Sequence, residues 1–307
     1  MVFDLYKKRD FGSYISDTIQ FFKQFWKNYF INYITLNGAL LLIMSFIYFF
    51  VFKDMFSQMM ANPTEEPTLF YDSNLGISIT LLVIGALVGI VFTIITVAYP
   101  IAYMRLIQKT DRETFTSSEI LNEIKKDIIR IIVFGLAALV TFTPLIILFF
   151  LLSALLVILI VGLPLMILGM GAAFTWVNQA LFIYLNEEDT GYFEAMSAAW
   201  STLFSNFWHI AGTSTAMIFI TSTLSGVISL VPYFVGIGQM LSGGSSEPNI
   251  GAAMPWMIVF YVVNIILTYL LNNFIYVNQG LIYYSNKEEE EHIQAYSEID
   301  AIGRNEE

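Results

Sequence analysis

Long apolar stretches constrain the fold of this chain more than any other feature of its sequence. They cover residues 31–52, 77–107, 131–185, 210–232 and 254–285. A helix of about 20 apolar residues crosses a bilayer, and a helix also satisfies its own backbone hydrogen bonds there. Only 13% of the 307 residues are charged, about half the share found in soluble domains, which is too few to cover a water-facing surface. The sequence therefore predicts an all-α, polytopic membrane protein in contact with a lipid bilayer.

The longest of these stretches, residues 131–185, is predicted to contain two transmembrane helices. At 1.5 Å per residue, about 55 residues are too many for one span and suitable for two. We place the turn at Gly162-Leu163-Pro164, because proline suits the first turn of a helix. A turn at Ser153 is the alternative, in which case Pro144 lies near the end of a shorter helix. Either choice gives six transmembrane helices.

One segment of the chain occurs twice, at an offset of 100 residues. Residues 174–188 read FTWVNQALFIYLNEE, and residues 274–288 read FIYVNQGLIYYSNKE. Eight of the 15 positions are identical: Phe174/Phe274, Val177/Val277, Asn178/Asn278, Gln179/Gln279, Leu181/Leu281, Tyr184/Tyr284, Asn186/Asn286 and Glu188/Glu288. Each copy lies at the polar end of an apolar stretch, so the sequence predicts that one type of helix end is built twice.

Three segments, residues 11–30, 115–130 and 192–209, are predicted to form amphipathic helices that precede the spans. In the first and third, aromatic residues occur at helical spacing along the apolar face. Helices of this kind lie in the membrane plane. We therefore predict membrane-surface positions for Phe11, Phe22, Phe25, Trp26, Phe193, Trp200, Phe204, Phe207 and Trp208. The alternative is that these faces pack against the protein's own helices, because the amphipathic pattern is the same in both cases.

The sequence contains one repeat unit three times, and this unit consists of an amphipathic helix, a span, a loop and a second span. The units cover about residues 11–107, 115–185 and 192–285. We expect residues 1–285 to form a single membrane domain of three pseudo-repeats. Residues 286–307 are rich in glutamate, and this composition predicts an acidic cytoplasmic tail that is disordered when free.

Basic residues predict the orientation of the chain. Of the 14 Lys and Arg residues, five precede the first span, six lie between Arg105 and Arg130, and two follow the last span. Lys53 alone lies on the opposite side. The positive-inside rule then places both termini and all three amphipathic helices in the cytoplasm. The first 30 residues do not have the pattern of a cleavable signal peptide, so we expect a multi-pass protein of the bacterial inner membrane.

Residue types that carry catalysis or bind metals are scarce in this sequence. The chain has no Cys, and its two histidines, His209 and His292, do not stand at metal-ligand spacing. Glu187, Glu188 and Asp189 are adjacent, but a charge run at a helix end is usually only solvated. The formal net charge of −11 argues against nucleic acid as a partner. We therefore expect no enzymatic activity, no cofactor and no metal site.

The most informative polar residues are the amides of the two copies, Asn178, Gln179, Asn278 and Gln279. An amide in hydrocarbon must find a hydrogen-bond partner. One interpretation is that these amides bond across helices and hold the spans together. The other is that they form a polar lining for a lipid headgroup or a small polar solute. Further residues that would extend such a lining are Asn37, Asn264, Asn272, Asn273 and Tyr99.

The plan of six spans, with amphipathic segments before each pair and the tyrosine-rich LIYYS motif at residues 281–285, resembles a known family. It is similar to the membrane domain attached to some bacterial glycerophosphoryl diester phosphodiesterases, in which the catalytic barrel is a separate domain. It also resembles stand-alone six-span integral membrane proteins of Bacteroidetes, which are often encoded near ATPases and von Willebrand A-type membrane proteins. The resemblance implies membership of a membrane assembly, not an enzymatic activity.

Two functions are compatible with these patterns. The first is a non-catalytic subunit or scaffold of a membrane protein assembly, with a membrane or cytoplasmic protein as its partner. The second is a translocator of a lipid or small solute that uses the interface between repeats, where many transporters place their binding sites. The spans contain essentially no charged residue, whereas ion-coupled transporters usually place one in the membrane.

Overall fold

Helices make up nearly all of the structure, a computed structural model that describes residues 3–61, 75–110, 112–157, 162–187, 189–231, 234, 238 and 250–292. Within these ranges the chain forms seven helices: α1 (Phe11–Ala61), α2 (Leu75–Thr110), α3 (Ser117–Val157), α4 (Gly162–Asn186), α5 (Tyr192–Ser205), α6 (Phe207–Ser229) and α7 (Ile250–Glu291). The described ranges contain no β-strand, so the prediction of an all-α protein is confirmed.

Six of these helices, all except α5, are long and apolar enough to cross a membrane. The remaining helix, α5, has 14 residues and is therefore only about 21 Å long, shorter than a hydrocarbon core of about 30 Å. The predicted number of spans is thus confirmed by the lengths and compositions of the helices.

Two of the three predicted amphipathic segments are continuous with the spans that follow them. Residues 11–30 are the first part of the 51-residue helix α1, and residues 117–130 are the first part of α3. No glycine or proline lies between Gly12 and Gly38, so nothing in this stretch interrupts the backbone hydrogen bonds of the helix. Only the third segment is a separate helix, because α5 ends at Ser205 and Asn206 leaves the helical conformation.

The connection between the third and fourth spans lies next to the predicted position. Helix α3 continues through Pro144 and Ser153 to Val157, so the alternative turn at Ser153 is wrong. Helix α4 begins at Gly162, which makes Gly162-Leu163-Pro164 its first turn rather than the connection itself. This placement suits a proline, since the first turn of a helix does not need its missing N–H.

Several helices are longer than the apolar stretches from which they were predicted. The segment between the first two apolar stretches, residues 53–76, is helical up to Ala61 and again from Leu75, and the segment before the last stretch, residues 233–253, lies mostly outside the described residues. Helix α7 continues to Glu291, so residues 286–291 belong to this helix and not to a disordered tail. Lys287 accounts for the extension, because its Nζ lies 2.7 Å from Glu187 and 2.9 Å from Glu291. Residues 293–307 lie outside the described part.

The chain divides into two compact units. Unit 1 comprises Met1–Asn32, Val97–Phe219 and Asn273–Glu307, and unit 2 comprises Tyr33–Thr96 and Ile220–Asn272. Helices α1, α2, α6 and α7 each contribute different parts of their length to the two units.

Unit 1 has an aromatic core. The rings of Tyr29 and Tyr99 lie 4.8 Å apart, and those of Tyr29 and Tyr103 lie 4.9 Å apart. Phe25 is fully buried, and Phe22 is nearly so, with its ring 4.0 Å from that of Phe274. The membrane-surface prediction is therefore wrong for Phe22 and Phe25. Their face of α1 packs inward against α2 and α7, which was the alternative interpretation of the same pattern.

Unit 2 is built from apolar helix segments with a few polar contacts. The rings of Phe92 and Tyr269 lie 4.7 Å apart in an edge-on arrangement. The Asn264 amide donates to the Ser225 carbonyl at 2.7 Å. Together these contacts join α2 to α7 and α6 to α7 within the unit.

Candidate functional site

The glutamines of the two repeated segments bond directly to each other in unit 1. Gln179 Nε2 of α4 donates to the backbone carbonyl of Gln279 at 2.8 Å and to its side-chain Oε1 at 3.3 Å. Gln279 Nε2 of α7 donates in turn to Ser214 Oγ of α6 at 2.7 Å. Both glutamines are buried. The result is a hydrogen-bonded chain across three helices, as the interhelical interpretation of the amides predicts.

The two asparagines of the repeat use different partners. Asn178 Nδ2 donates to the Phe174 carbonyl on its own helix at 2.7 Å. Asn278 Nδ2 instead reaches α1, where it lies 3.1 Å from Thr18 Oγ1 and 3.3 Å from the Tyr14 carbonyl. Because the two residues are identical and both buried, the difference comes from the helix that packs beside each one.

The C-terminal end of α4 is held by an arginine from α2. Arg105 Nη2 donates to the Leu185 carbonyl at 2.9 Å, and Nε donates to Asn186 Oδ1 at 3.1 Å. Arg105 Nη1 pairs with Asp127 of α3 at 2.6 Å. The last carbonyls of a helix have no partner within the helix, and a cation placed there also interacts favourably with the helix dipole. Arg105 therefore fastens α4 to α2 and α3 at once.

A second arginine acts on the same helix end. Arg130 of α3 donates to the carbonyls of Tyr184 and Glu187, the latter at 3.1 Å. Its guanidinium lies 4.6 Å from the centre of the Tyr184 ring, within cation–π range. The sequence places both arginines in a basic segment, but it does not show that they bond to one helix end, because they are 80 and 54 residues from the carbonyls of Leu185 and Tyr184.

The end of α7 is held by the N-terminal segment of the chain. The Arg9 backbone N–H donates to Ser285 Oγ at 3.0 Å, and its buried guanidinium pairs with Asp17 at 2.9 Å. The same guanidinium donates to the carbonyls of Asp4, Leu5 and Lys7. Burial lowers the pKa of the Arg9 guanidinium, and the Asp17 carboxylate opposes that change. Sequence reasoning missed this arrangement, since Arg9 there is only one of five basic residues that precede the first span.

Helix α1 begins with a capped first turn close to this segment. Asp10 Oδ1 accepts hydrogen bonds from the Ser13 hydroxyl at 2.6 Å and from the Ser13 backbone N–H at 2.8 Å. This is the geometry of an N-cap aspartate. The hydrogen bond from the Ser13 side chain, followed by that from its backbone, lowers the pKa of the Asp10 carboxyl. The cap fixes where the N-terminal segment turns into α1.

The remaining polar candidates do not converge on one lining. Asn273 Oδ1 accepts a hydrogen bond from the Tyr29 hydroxyl at 3.1 Å, and the Tyr99 hydroxyl donates to the Tyr29 carbonyl at 2.6 Å. Asn264 bonds within unit 2, as described above, and Asn272 is half-buried. Asn37 is fully buried, and neither its Nδ2 nor its Oδ1 has a hydrogen-bond partner.

The other aromatic residues predicted at the membrane surface lie mostly on the outside. The exposed ones are Phe11, Trp26, Phe193, Trp200, Phe204 and Trp208, of which Phe193 and Trp208 are the most exposed at 77% and 71%. Phe207 is half-buried against the cluster formed by Tyr14, Leu203, Ile210, Ala211 and Ile282. The exposed rings of α5 and the start of α6 form an aromatic face on unit 1.

The acidic and histidine residues do not assemble into a metal site in the described ranges, where no group of three or more His, Cys, Asp or Glu residues is placed to hold an ion. Glu187 pairs with Lys287 and accepts a hydrogen bond from Thr190 at 3.1 Å, while Glu188 lies outside the described residues. His209 and His292 are exposed at the surface.

The chain matches no family model, no curated protein and no solved structure. Its class follows from its six spanning helices, which define a multi-pass α-helical membrane protein in contact with the lipid bilayer. The site that its geometry defines is a buried junction of amides between α4, α6 and α7, flanked by two helix ends that arginines hold in place.

Proposed function

We propose that this protein is a non-catalytic subunit or scaffold of a membrane protein assembly in the bacterial inner membrane, with both termini in the cytoplasm. The observation that carries the proposal is the bonding of the repeat amides. Gln179 donates to Gln279, and Gln279 donates to Ser214. Polar groups used in this way join helices and are not free to bind a solute. The resemblance to the phosphodiesterase membrane domains and their stand-alone relatives points in the same direction.

The proposal includes a three-fold internal repeat, with an amphipathic segment on the cytoplasmic side before each pair of spans. Two contacts support it. Trp176 Nε1 near the end of α4 donates to the Met196 carbonyl of α5 at 2.8 Å, and Asn278 near the end of α7 bonds to the Tyr14 carbonyl of α1. Met196 and Tyr14 are 182 positions apart, the same offset that aligns four aromatic residues of these two segments. In both contacts, the last span of one sequence repeat bonds to the amphipathic segment of another repeat.

The aromatic face of α5 and the start of α6 is the surface that we assign to contact with the membrane interface or a protein partner. Phe193, Trp200, Phe204 and Trp208 are all exposed there. Tryptophan and other aromatic rings favour the headgroup layer of a bilayer, and they are also enriched in protein interfaces. A scaffold needs an exposed surface of this kind to bind its partner, because its amide junction is buried.

Purification from the native membrane tests this function directly. The full chain is extracted in mild detergent after crosslinking, and proteins that co-purify in stoichiometric amount are identified by mass spectrometry. We expect a defined membrane or cytoplasmic protein partner. Recovery of the chain alone would contradict the proposal.

A pair of variants then locates the contact surface. Trp200→Ala with Phe204→Ala removes two rings from the aromatic face and is expected to reduce recovery of the partner. Phe219→Ala is the matched control, because Phe219 is also an exposed ring, at 68%, but lies farther along α6. Equal recovery of the partner with both variants would show that α5 is not part of the contact surface.

A second candidate function, translocation of a lipid or small solute at the interface between repeats, is favoured by one atom. Asn278 Oδ1 is buried and has no hydrogen-bond partner. If this function is correct, Asn178→Ala combined with Asn278→Ala abolishes transport of fluorescent lipid or solute in proteoliposomes while protein abundance stays unchanged. An equal loss of abundance would instead assign the asparagines to helix packing.

A further inference from the structure

One buried face of α1 in unit 2 carries polar groups without partners. Asn37 is 0% exposed, and both atoms of its amide, Nδ2 and Oδ1, lack a hydrogen-bond partner. Ser45 is 4% exposed, and its Oγ also lacks one. Asn37, Leu41 and Ser45 are spaced by four residues, so they lie on one face of the helix, and Leu41 is buried between the two polar residues.

These unpartnered groups contrast with the other polar side chains of the same unit. The Tyr33 and Thr96 hydroxyls lie 3.3 Å apart, and the Asn264 amide bonds to the Ser225 carbonyl. Buried polar groups in folded proteins almost always have a partner, either protein or an ordered small molecule such as water. Hydrocarbon supplies no alternative partner, because a lipid tail cannot form a hydrogen bond.

The chemistry of this face limits what binds there. The amide of Asn37 offers two donor hydrogens and one acceptor oxygen, and the hydroxyl of Ser45 offers one of each kind of group. No Asp, Glu, Lys or Arg occurs in residues 33–52, 75–96, 220–231 or 250–272, which make up most of unit 2. An ion in such surroundings has no opposite charge to offset its loss of hydration. These surroundings favour an uncharged molecule that forms hydrogen bonds.

We propose that the interior of unit 2 binds small uncharged hydrogen-bonding molecules, water or neutral solutes of similar size, with Asn37 as the main contact and Ser45 as the contact of a second molecule. The two residues are about 12 Å apart along the helix axis, so the site extends over more than one small molecule. It is separate from the amide junction of unit 1, and it does not depend on the scaffold function proposed above.

The absence of cysteine from the chain makes the test direct. Asn37→Cys and Ser45→Cys are introduced singly into the full chain in native membranes and treated with a small, water-soluble methanethiosulfonate reagent. Leu42→Cys is the matched control on the same helix, since Leu42 is 56% exposed on an apolar, lipid-accessible surface. Ser16→Cys, at an exposed position near the start of α1, shows that the reagent is active.

The reagent attacks the thiolate, and an apolar environment disfavours the thiolate, so a cysteine in a polar site is expected to react at least about ten times faster than Leu42→Cys. Slower reaction of Asn37→Cys in molar urea or glycerol would identify a solute as the occupant, and an unchanged fast rate would identify water. If Asn37→Cys does not accumulate, the smaller change Ser45→Cys carries the test. Reaction of both at the rate of Leu42→Cys, while Ser16→Cys reacts, would overturn the proposal.

Discussion

The two copies of the repeated segment end in different surroundings, although eight of their 15 residues are identical. The end of α4 is held by the side chains of Arg105 and Arg130, which bond to its last carbonyls. The end of α7 is held by the N-terminal segment through the backbone of Arg9 and the hydroxyl of Ser285. The corresponding residue in the first copy is Leu185, which has no hydroxyl to accept such a bond.

The two copies thus share the buried amide junction, but different residues hold the end of each copy. Gln179 and Gln279 meet in a single network, because both copies project an amide toward the same place between helices. The outer supports differ, since each helix end meets whatever segment packs beside it.

The largest effect is expected from Arg9→Met, which removes the guanidinium that holds the N-terminal segment in place beside the second copy. The change leaves Asp17 buried and the carbonyls of Asp4, Leu5 and Lys7 without their donor. Breaking a buried ion pair by removing one partner costs about 3–5 kcal/mol, and the loss is expected at the lower end of this range because Lys7 still lies 3.1 Å from Asp17. The midpoint of thermal unfolding in mild detergent is the measurement.

Two further variants sharpen this prediction. Lys7→Met is the control, because Lys7 also pairs with Asp17 but its side chain is 48% exposed, and exposed pairs contribute little. Arg9→Met with Asp17→Leu is expected to be more stable than Arg9→Met alone, since no buried carboxylate remains that only the half-exposed Lys7 pairs with. A wild-type midpoint for Arg9→Met would show that the N-terminal segment does not support α7.

The next largest effect is expected from Arg105→Met, which removes a support of the first copy. Leu185 loses a donor to its carbonyl, and Asp127 loses its ion-pair partner. Hydrogen bonds to charged groups contribute about 1.5–3 kcal/mol, and Arg130 continues to hold the same helix end, so the loss is expected in this range. Unfolding midpoints measure it. Arg112→Met is the matched control, because its pair with Glu119 is exposed, and it should leave the midpoint nearly unchanged.

A swap of small residues compares the two helices at the same repeat position, Ala180 and Gly280. A Cβ atom at Gly280 would collide with the buried side chain of Met104 and come within 3.1 Å of Phe182 Cζ. Gly280→Ala is therefore expected to destabilise the protein by about 1–3 kcal/mol through overpacking, whereas Ala180→Gly costs about 0.5–1 kcal/mol through helix propensity. Partial recovery of the unfolding midpoint on adding Met104→Ala would identify the collision as the cause. Equal midpoints for both single variants would contradict it.

The smallest effect is expected from the two asparagines. Asn278→Ala removes a bond between α7 and α1, and hydrogen bonds between membrane helices contribute about 0.6 kcal/mol on average. Asn178→Ala removes a bond within α4 and replaces the residue with a better helix former, so little change is expected. Chemical denaturation of both variants compares them. A larger loss of stability for Asn178→Ala than for Asn278→Ala would show that Asn178, and not Asn278, makes the more important contact.

Sequence reasoning succeeded where the pattern has one structural solution. Apolar stretches of 20 or more residues require spanning helices, and the structure contains six helices of that kind. It failed where one pattern has two solutions. The aromatic stripe of residues 11–30 fits both a membrane surface and a protein interior, and the structure divides it, with Phe25 buried and Trp26 exposed at 59%.

The sequence by itself determined that this protein is all-α, that it has six spanning helices, and that one 15-residue segment recurs at the polar ends of two apolar stretches, because these properties depend on composition and spacing along the chain. Only the tertiary structure decided that Arg9, Arg105 and Arg130 hold those ends, that α1 is one helix through both units, and that the amide of Asn37 is buried without a partner. These features depend on contacts between residues up to 276 positions apart, and local pattern carries no information about which distant segment packs beside a given side chain.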